Sequence, residues 1–248
     1  GRWSSNDPNM QNIPSRNPVL SALIKKIFIV PQGWTLVQLD YSQIEYRVAA
    51  ILSGDPVMTK IYQDGLDLHR RTAELISEAA WGIARSVMEG YDDATIKPYR
   101  GASKTVNFGT LYGLGASTLA KNLGITVDEA KALIASIMGE FTVLAEWIEK
   151  QINHARAHGT VHNIVDGQVG RHRPLYNAGS VDTGEASGAA RQAVNTPVQG
   201  SAAEYMSRSI NATVDWIVGD GIPAKVIGSV HDSILMEVRN DWLDGVVA

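Results

Sequence analysis

The order of the predicted elements places this chain in the α+β class, with a small antiparallel sheet and a helical insertion. A short β-like run ends at Asp40, and a long stretch with helical periodicity covers residues 66–160. Two β-rich runs near the C-terminus then flank His231-Asp232-Ser233. This order, with one strand, then many helices and then a hairpin, differs from the strict strand–helix alternation that indicates a parallel sheet.

Local signals mark where individual helices begin. Ser42 and Glu45 fit the S-x-x-E capping box and predict a helix immediately after the first strand. Asp67 is expected to open a later helix, and Thr126 with Glu129 to open another. Residues 82–98 are less regular, and we expect a loop or a variable insertion there.

Two further regions complete the predicted order. Residues 161–176 indicate a hairpin with Asp166-Gly167 at its turn. Residues 185–219 have a helical pattern, which we expect to be interrupted near Pro197. Residues 1–18 are rich in Asn, Ser and Pro and predict an irregular lead-in.

Composition is typical of a globular protein. Of 248 residues, 44% are hydrophobic and 19% are charged, and no apolar run is long enough for a membrane span. We expect an intracellular protein. The absence of Cys excludes disulfides, thiolate zinc sites and a Cys nucleophile. The first residue is Gly rather than Met, and we expect the chain to be a piece of a larger protein.

The net charge of −4, taken alone, argues against a nucleic-acid binder. Net charge averages over all faces of a protein, however, and acidic metal-binding groups can coexist with a basic groove. The charge therefore does not exclude nucleic acid as a partner.

Asp40 and Asp232 both lie where a β run ends or turns. Two carboxylates from adjacent strands can hold a pair of divalent ions about 3.5–4 Å apart. Mg²⁺ suits this arrangement because it needs few carboxylates and leaves positions for water and phosphate. Taken singly, each acid is more simply explained as a strand end or a turn residue.

A stripe of four residues spaced four apart follows in the helical region. Each step of four drifts by only about 40° around a helix, so the four side chains share one face. Arg and Lys are suited to phosphates, and the aromatic rings offer flat surfaces to a base. An exposed face with two incidental aromatics is the alternative. The residues are Arg100, Lys104, Phe108 and Tyr112.

In combination, these segments resemble family A, the polymerase I-type DNA polymerases. Residues 40–47, DYSQIEYR, resemble motif A, and residues 100–113, RGASKTVNFGTLYG, resemble the motif B helix. Residues 230–232, VHD, resemble motif C. Residues 1–14 and the block NTPVQG at 195–200 are similar to further family segments, and all occur in family order.

The resemblance implies a role for each matched position. Asp40 and Asp232 are expected to be the catalytic, metal-binding carboxylates for two Mg²⁺ ions, for which Mn²⁺ can substitute, with the Tyr41 carbonyl completing a site. The expected nucleotide-binding residues are Gln43, Glu45, His69, Arg100, Lys104, Phe108 and Tyr112. Those expected to contact DNA are Arg16, Asn195, Gln199 and His231.

Within the nucleotide set, the resemblance implies that Arg100 and Lys104 bind the triphosphate and that Phe108 stacks near the base and sugar. Glu45 is expected to be the steric gate against a ribose 2′-OH, although it also belongs to the predicted capping box. His69 is expected near the phosphates, with a surface histidine as the alternative.

The resemblance also implies a right-hand polymerase architecture with the thumb absent. The palm would comprise residues 1–66 and 179–248, and the helical fingers residues 67–178. The expected partners are primer–template DNA and dNTPs, with no membrane involved, and we expect a monomer.

Three features depart from the family pattern. Ser233 stands where motif C usually has Glu, and Glu237 is a poor substitute because it lies roughly 13 Å further along a strand. Tyr46 replaces the more usual Leu of motif A. The interval from His69 to Arg100 is long, which indicates an insertion within residues 77–97.

Three alternatives remain open. The first is a catalytically impaired DNA-binding remnant, which remains possible because Ser233 replaces the usual carboxylate of motif C. An HD-type metal phosphohydrolase would use His69 with His231-Asp232 as ligands. A single-subunit RNA polymerase has related motifs, but Glu45 argues against it.

Overall fold

The structure, a computed structural model, describes residues 1–12, 17–113 and 115–247. Within them, helices α1 to α11 span Pro18–Lys25, Ile44–Ser53, Pro56–Gln63, Leu68–Trp81, Arg85–Glu89, Asp93–Leu111, Ala116–Leu123, Val127–Glu140, Thr142–His158, Thr183–Gly219 and Leu243–Val247. Strands β1 to β5 span Trp34–Asp40, Thr160–Val165, Gln168–Pro174, Ala224–Val230 and Ser233–Arg239. Short 3-10 helices cover Tyr176–Gly179 and Asn240–Trp242. The predicted α+β class is confirmed.

The larger sheet is antiparallel with strand order β1-β5-β4. The β1–β5 register runs from Trp34 opposite Arg239 to Asp40 opposite Ser233, so the two strands are paired to their ends. The β4–β5 connection is the two-residue turn His231-Asp232, in which His231 has a φ of 54°. The sheet therefore brings the end of β1 to the start of β5, beside the hairpin turn.

The chain divides into two compact units, residues 1–44 with 200–248 and residues 45–199. The first unit contains the three-stranded sheet and the C-terminal part of α10. Its core packs apolar side chains of β1, β4 and β5 against that helix. The buried members are Val37, Met206, Ile217, Ile222, Ala224, Ile234, Met236 and Val238.

The second unit is mostly helical. Its helix starts follow capping rules: Asp67 accepts from the Arg70 N–H at 2.7 Å, and Thr126 forms a complete capping box with Glu129. The buried carboxylate of Asp55 caps α3 and also accepts from the Leu144 N–H at 3.0 Å, which ties α3 to α9. The β2–β3 hairpin turns at Asp166 and Gly167, both with positive φ, as the Asp-Gly signal predicts.

Two local expectations were wrong. Residues 82–98, expected to be a loop or a variable insertion, are not a loop: they contain α5 and the start of α6, because Met88 and Ile96 are buried against Ala73. Helix α10 continues through Pro197, since the buried side chains of Val194 and Val198 hold both sides of the proline in place. Helix α2 begins at Ile44, so the helix expected after the first strand is present.

No helix in the described part of the chain combines the length and apolar character that a membrane span needs.

Candidate functional site

The two acidic residues of the candidate metal site lie side by side in the first unit. Asp40 is the last residue of β1, and the backbone N–H of Tyr41 donates to the carbonyl oxygen of Asp232 at 3.0 Å. Partial burial, together with the negative charge of Asp232, raises the pKa of Asp40 above its usual value. The carboxylates are therefore close enough to repel one another, and a cation between them would relieve the repulsion.

Ser233 occupies the position after Asp232 and is fully buried. Its hydroxyl donates to the Val230 carbonyl at 2.8 Å and accepts from the Gln38 amide at 2.9 Å. The side chain thus stabilises the turn. Glu237 pairs with Leu36 at the other end of the strand, so it brings no third carboxylate to this point.

Across the described residues, no group of three or more His, Asp or Glu side chains is arranged to hold a metal ion. A pair of carboxylates still fits Mg²⁺, which commonly takes one or two carboxylates and completes its shell with water and substrate phosphate. The donor set therefore fits a magnesium ion that substrate helps to coordinate.

Other predicted residues of the first unit surround this pair. The Tyr41 hydroxyl shares a hydrogen bond of 2.7 Å with Ser209, which anchors the residue after Asp40 to α10. Gln43 has a left-handed backbone, with a φ of 56°, in the turn before α2. His231 is exposed, and with Asp232 it lines a small pocket next to Trp3.

In the second unit, Arg100 of α6 is held by Asp67, the N-cap residue of α4. Its Nε and Nη2 donate to the two carboxylate oxygens at 3.1 and 2.7 Å. The bond to Asp67 raises the pKa of Arg100. Burial opposes ionisation of Asp67, but the bonds from Arg100 and the Arg70 N–H outweigh it and lower the Asp67 pKa. Asp67, expected only to start a helix, thus orients the predicted phosphate-binding arginine.

The other three residues of the α6 stripe lie next to one another along the helix. The Lys104 ammonium lies 5.9 Å from the centre of the Phe108 ring, and the Phe108 and Tyr112 ring centres are 5.7 Å apart. The Tyr112 hydroxyl donates to the Glu45 carboxylate. Lys104, Phe108 and Tyr112 line a groove that also includes Arg191 of α10. These three residues of the stripe therefore give one side of the groove a cation and two aromatic rings.

His69 is buried, with only 3% of its surface exposed. Its Nδ1 lies 2.9 Å from the Asn107 amide nitrogen, and Asn107 in turn accepts from Thr72 at 3.0 Å. Burial, together with the charges of Arg100 and Lys104, lowers the pKa of His69 to about 4. At neutral pH the ring is therefore uncharged.

Asn195 and Gln199 lie on α10 in the second unit, and the Asn195 side-chain oxygen is buried with no hydrogen-bond partner within the described residues. Arg191, one helical step of four before Asn195, was missed by sequence reasoning although the spacing places it on the same face. Arg16 lies outside the described residues.

Comparison with known proteins assigns the whole chain to one protein family. Residues 1–248 match the model of DNA polymerase family A. The chain is 39% identical to the thermostable DNA polymerase I of Thermus filiformis over 242 residues, which is 97% of this chain and 27% of that protein. It is 35% identical to DNA polymerase I of Pseudomonas aeruginosa over 246 residues, which is 99% of this chain and 25% of that protein.

A solved structure gives the same result. The POL domain of Pol1 from M. smegmatis, in complex with DNA primer-template and dNTP, superposes with a TM-score of 0.85 at 30% identity. The match covers 100% of this chain and 41% of that one. The chain spans about a quarter of the length of the curated relatives it matches.

Burial of His69 predicts a pH-dependent stability. An unfolded histidine titrates near pH 6.5, whereas the folded one titrates at about 4, so only the unfolded state gains a proton between these values. Stability is therefore constant above neutrality and falls by about 2 kcal/mol between pH 7.5 and pH 5. Urea denaturation at both pH values measures the loss.

The control for this prediction is His69→Gln, which cannot titrate and should lose correspondingly less stability between the two pH values. His162, whose pKa is also lowered by burial, contributes to the remaining loss, and His162→Gln separates its share. Identical pH profiles for the unmodified protein and His69→Gln would contradict the prediction.

Gly113 lies two residues after the end of α6 and has a φ of 67°, and a Cβ there would lie 3.2 Å from Cγ of Arg191. Gly113→Ala should destabilise the protein by about 1–2 kcal/mol. Gly101→Ala is the matched control: the residue is inside the same helix with nothing near its Cβ, so we expect a gain of about 0.5–1 kcal/mol. Thermal or chemical denaturation checks both, and changes of the same sign would contradict this reading.

Proposed function

Because the chain belongs to DNA polymerase family A, we propose that it carries the catalytic site for template-directed DNA synthesis. The reaction transfers a dNMP from a dNTP to the 3′-OH of a primer and releases pyrophosphate. The observation that carries the proposal is the pairing of β1 with β5, which sets Asp40 beside Asp232. The similar M. smegmatis domain, in complex with primer-template and dNTP, supports the same class of ligands for this chain.

The proposed cofactor is a pair of Mg²⁺ ions, for which Mn²⁺ can substitute. When bound, they supply a more nucleophilic primer hydroxyl and stabilise charge on the leaving pyrophosphate. Asp40 and Asp232 would hold them, with the Tyr41 carbonyl as a further ligand. The raised pKa of Asp40 supports this assignment, because two adjacent carboxylates favour a cation over mutual repulsion.

For the incoming nucleotide, we propose that Arg100 and Lys104 bind the triphosphate. Asp67 uses the Nε and Nη2 donors of Arg100, and an arginine has five N–H donors, so others remain for phosphate. Held in this way, the guanidinium is oriented before the nucleotide arrives, which lowers the entropic cost of binding.

The sugar and base would meet the other end of the α6 stripe. Phe108 would stack near the base, and Glu45 would occupy the space of a ribose 2′-OH. The bond from Tyr112 to Glu45 supports this role, since it fixes the carboxylate in one position. Gln43 would complete the nucleotide contacts, and His69 would face the phosphates as a neutral ring.

We also propose that His231, Asn195, Gln199 and Arg16 contact the primer–template. The division into palm, residues 1–66 and 179–248, and fingers, residues 67–178, belongs to the same proposal. The chain covers about a quarter of the length of its curated relatives, which supports a role as one part of a longer polymerase. A monomeric state belongs to the same proposal.

One rival function has a specific observation in its favour. Ser233 replaces a carboxylate, and a catalytically impaired DNA-binding protein would tolerate that loss. The HD-type phosphohydrolase has less support, because His69 is buried and hydrogen bonded to Asn107.

Replacement of the acidic pair tests the proposal in the full-length protein. Asp40→Asn and Asp232→Asn should each reduce primer extension by at least about 10³-fold, because the metal-binding charge is lost while the shape is kept. Circular dichroism and thermal melting should show an unchanged fold.

The matched control is Glu237→Gln, which removes a carboxylate from the same strand β5 but at its far end. It should extend primers at close to the normal rate. Normal extension by either aspartate variant would refute the assignment, and primer binding without any extension by the unmodified protein would favour the impaired alternative.

A further inference from the structure

Four of the six histidines of the chain form one cluster in the second unit. His154 and His158 lie in α9, His162 in β2 and His172 in β3. The rings follow one another in the order His158, His154, His162 and His172, with centres 4.4, 5.9 and 5.6 Å apart. None of these side chains belongs to the proposed polymerase site, so the cluster needs a separate explanation.

The ring nitrogens of the cluster are available to a ligand. His158 and His172 are exposed, and His154 and His162 are half-buried. Among the described residues, none of the four side chains forms a hydrogen bond or an ion pair. A neutral imidazole carries a nitrogen lone pair, which is a donor that Ni²⁺, Cu²⁺ and Zn²⁺ accept readily. The cluster therefore has the chemistry of a transition-metal site.

His154 and His158 have the geometry of a chelating pair. They are four residues apart in α9, so both side chains lie on one face, and two histidines at this spacing bind a metal ion in helical motifs. With metal–nitrogen bonds of about 2.0–2.1 Å, two imidazole rings on one ion have centres about 4.5 Å apart at a right angle and about 5 Å apart at a tetrahedral angle. The 4.4 Å between His154 and His158 agrees with the right angle, whereas the 5.9 Å to His162 is too long.

We propose that His154 and His158 bind one divalent transition-metal ion of the Ni²⁺ and Cu²⁺ type, with water in its other coordination positions. Tetragonal geometry, with nitrogen ligands at right angles, is typical of these two ions. A site with two protein ligands agrees with the finding that no three His, Asp or Glu side chains of the described residues are arranged to hold an ion. It consists of different residues from the proposed Mg²⁺ site and has a different ligand chemistry.

The charges of α9 are compatible with a bound cation. Arg156 lies two residues from each histidine, which is about 200° around the helix, so its side chain points to the other side. The charge of Lys150, one turn before His154, is offset by Glu146 at 3.8 Å. His158 is the last residue of α9, where the carbonyl end of the helix favours positive charge.

The β2–β3 hairpin presents imidazole and not guanidinium groups to this face. His162 is paired with His172, and adjacent residues of a strand point to opposite faces, so Arg171 and Arg173 point away from the His172 side. Arg173 accordingly donates to the Thr196 hydroxyl at 3.2 Å. Burial lowers the pKa of His162, and the charges of His172 and His154 lower it further, so this ring adds no positive charge at neutral pH.

Titration of the untagged full-length protein with Ni²⁺ tests the site. Isothermal titration calorimetry is done at about pH 7.5, where imidazole is neutral, and in excess Mg²⁺, which occupies carboxylate sites. His154→Gln and His158→Gln should each weaken one Ni²⁺ site at least about tenfold, because a chelating pair becomes a single ligand.

The matched control is His172→Gln, which removes an exposed imidazole of the same cluster from outside the pair. It should bind Ni²⁺ as the unmodified protein does. Thermal melting supplies a second measurement, because an ion that binds only the folded state raises the melting temperature. His158 is exposed, so His158→Gln should melt normally without metal and should lose the rise that Ni²⁺ gives the unmodified protein.

Unchanged Ni²⁺ affinity in either His154→Gln or His158→Gln would overturn the inference. An equal loss of affinity in His172→Gln would also overturn it, because the ion would then not belong to the α9 pair. Both measurements are made without primer or nucleotide, so their outcome does not depend on the proposed function.

Discussion

The pairing of β1 with β5 to the last residue of each strand is the constraint on which the candidate active site depends. It places Asp40 opposite Ser233, and the bond from the Tyr41 N–H to the Asp232 carbonyl extends the pairing into the turn. A slip of one residue would move every side chain of a strand to the opposite face of the sheet. The buried side chains of Met236 and Val238 oppose such a slip, so the hydrophobic core fixes the position of the acids.

The second unit uses paired polar groups to hold its candidate nucleotide-binding side chains. Asp67 orients Arg100, Asn107 orients His69, and Tyr112 contacts Glu45. Each of these groups is held by a hydrogen bond to another side chain of the same unit. In phosphoryl transfer, positioning and charge stabilisation supply most of the catalysis, so side chains that orient their neighbours in this way would serve the proposed reaction.

The fold class and the hairpins were predictable because their signals are local. The Asp166-Gly167 pair predicts the turn of one hairpin, and the β-rich runs on either side of His231-Asp232 predict the other hairpin. Local signals did not predict helix α5 or the continuity of α10 through Pro197, because tertiary packing overrides local propensity in both places. Asp40 and Asp232 were identified from the motif resemblance, and the α6 stripe from the resemblance together with its helical spacing.

The partners of those residues could not be named from the sequence. Asp67 precedes Arg100 by 33 residues and His69 precedes Asn107 by 38, and no periodicity links positions so far apart. Helical spacing could have identified Arg191, four residues before Asn195, but an arginine on a long helix is most simply a solvated side chain.

Anomalous scattering from crystals of the full-length protein grown with Mn²⁺, primer–template and a dNTP measures the central claim most directly. The account predicts anomalous density in contact with carboxylate oxygens of both Asp40 and Asp232. Manganese bound elsewhere, with these two side chains free of metal or on separate surfaces, would contradict it.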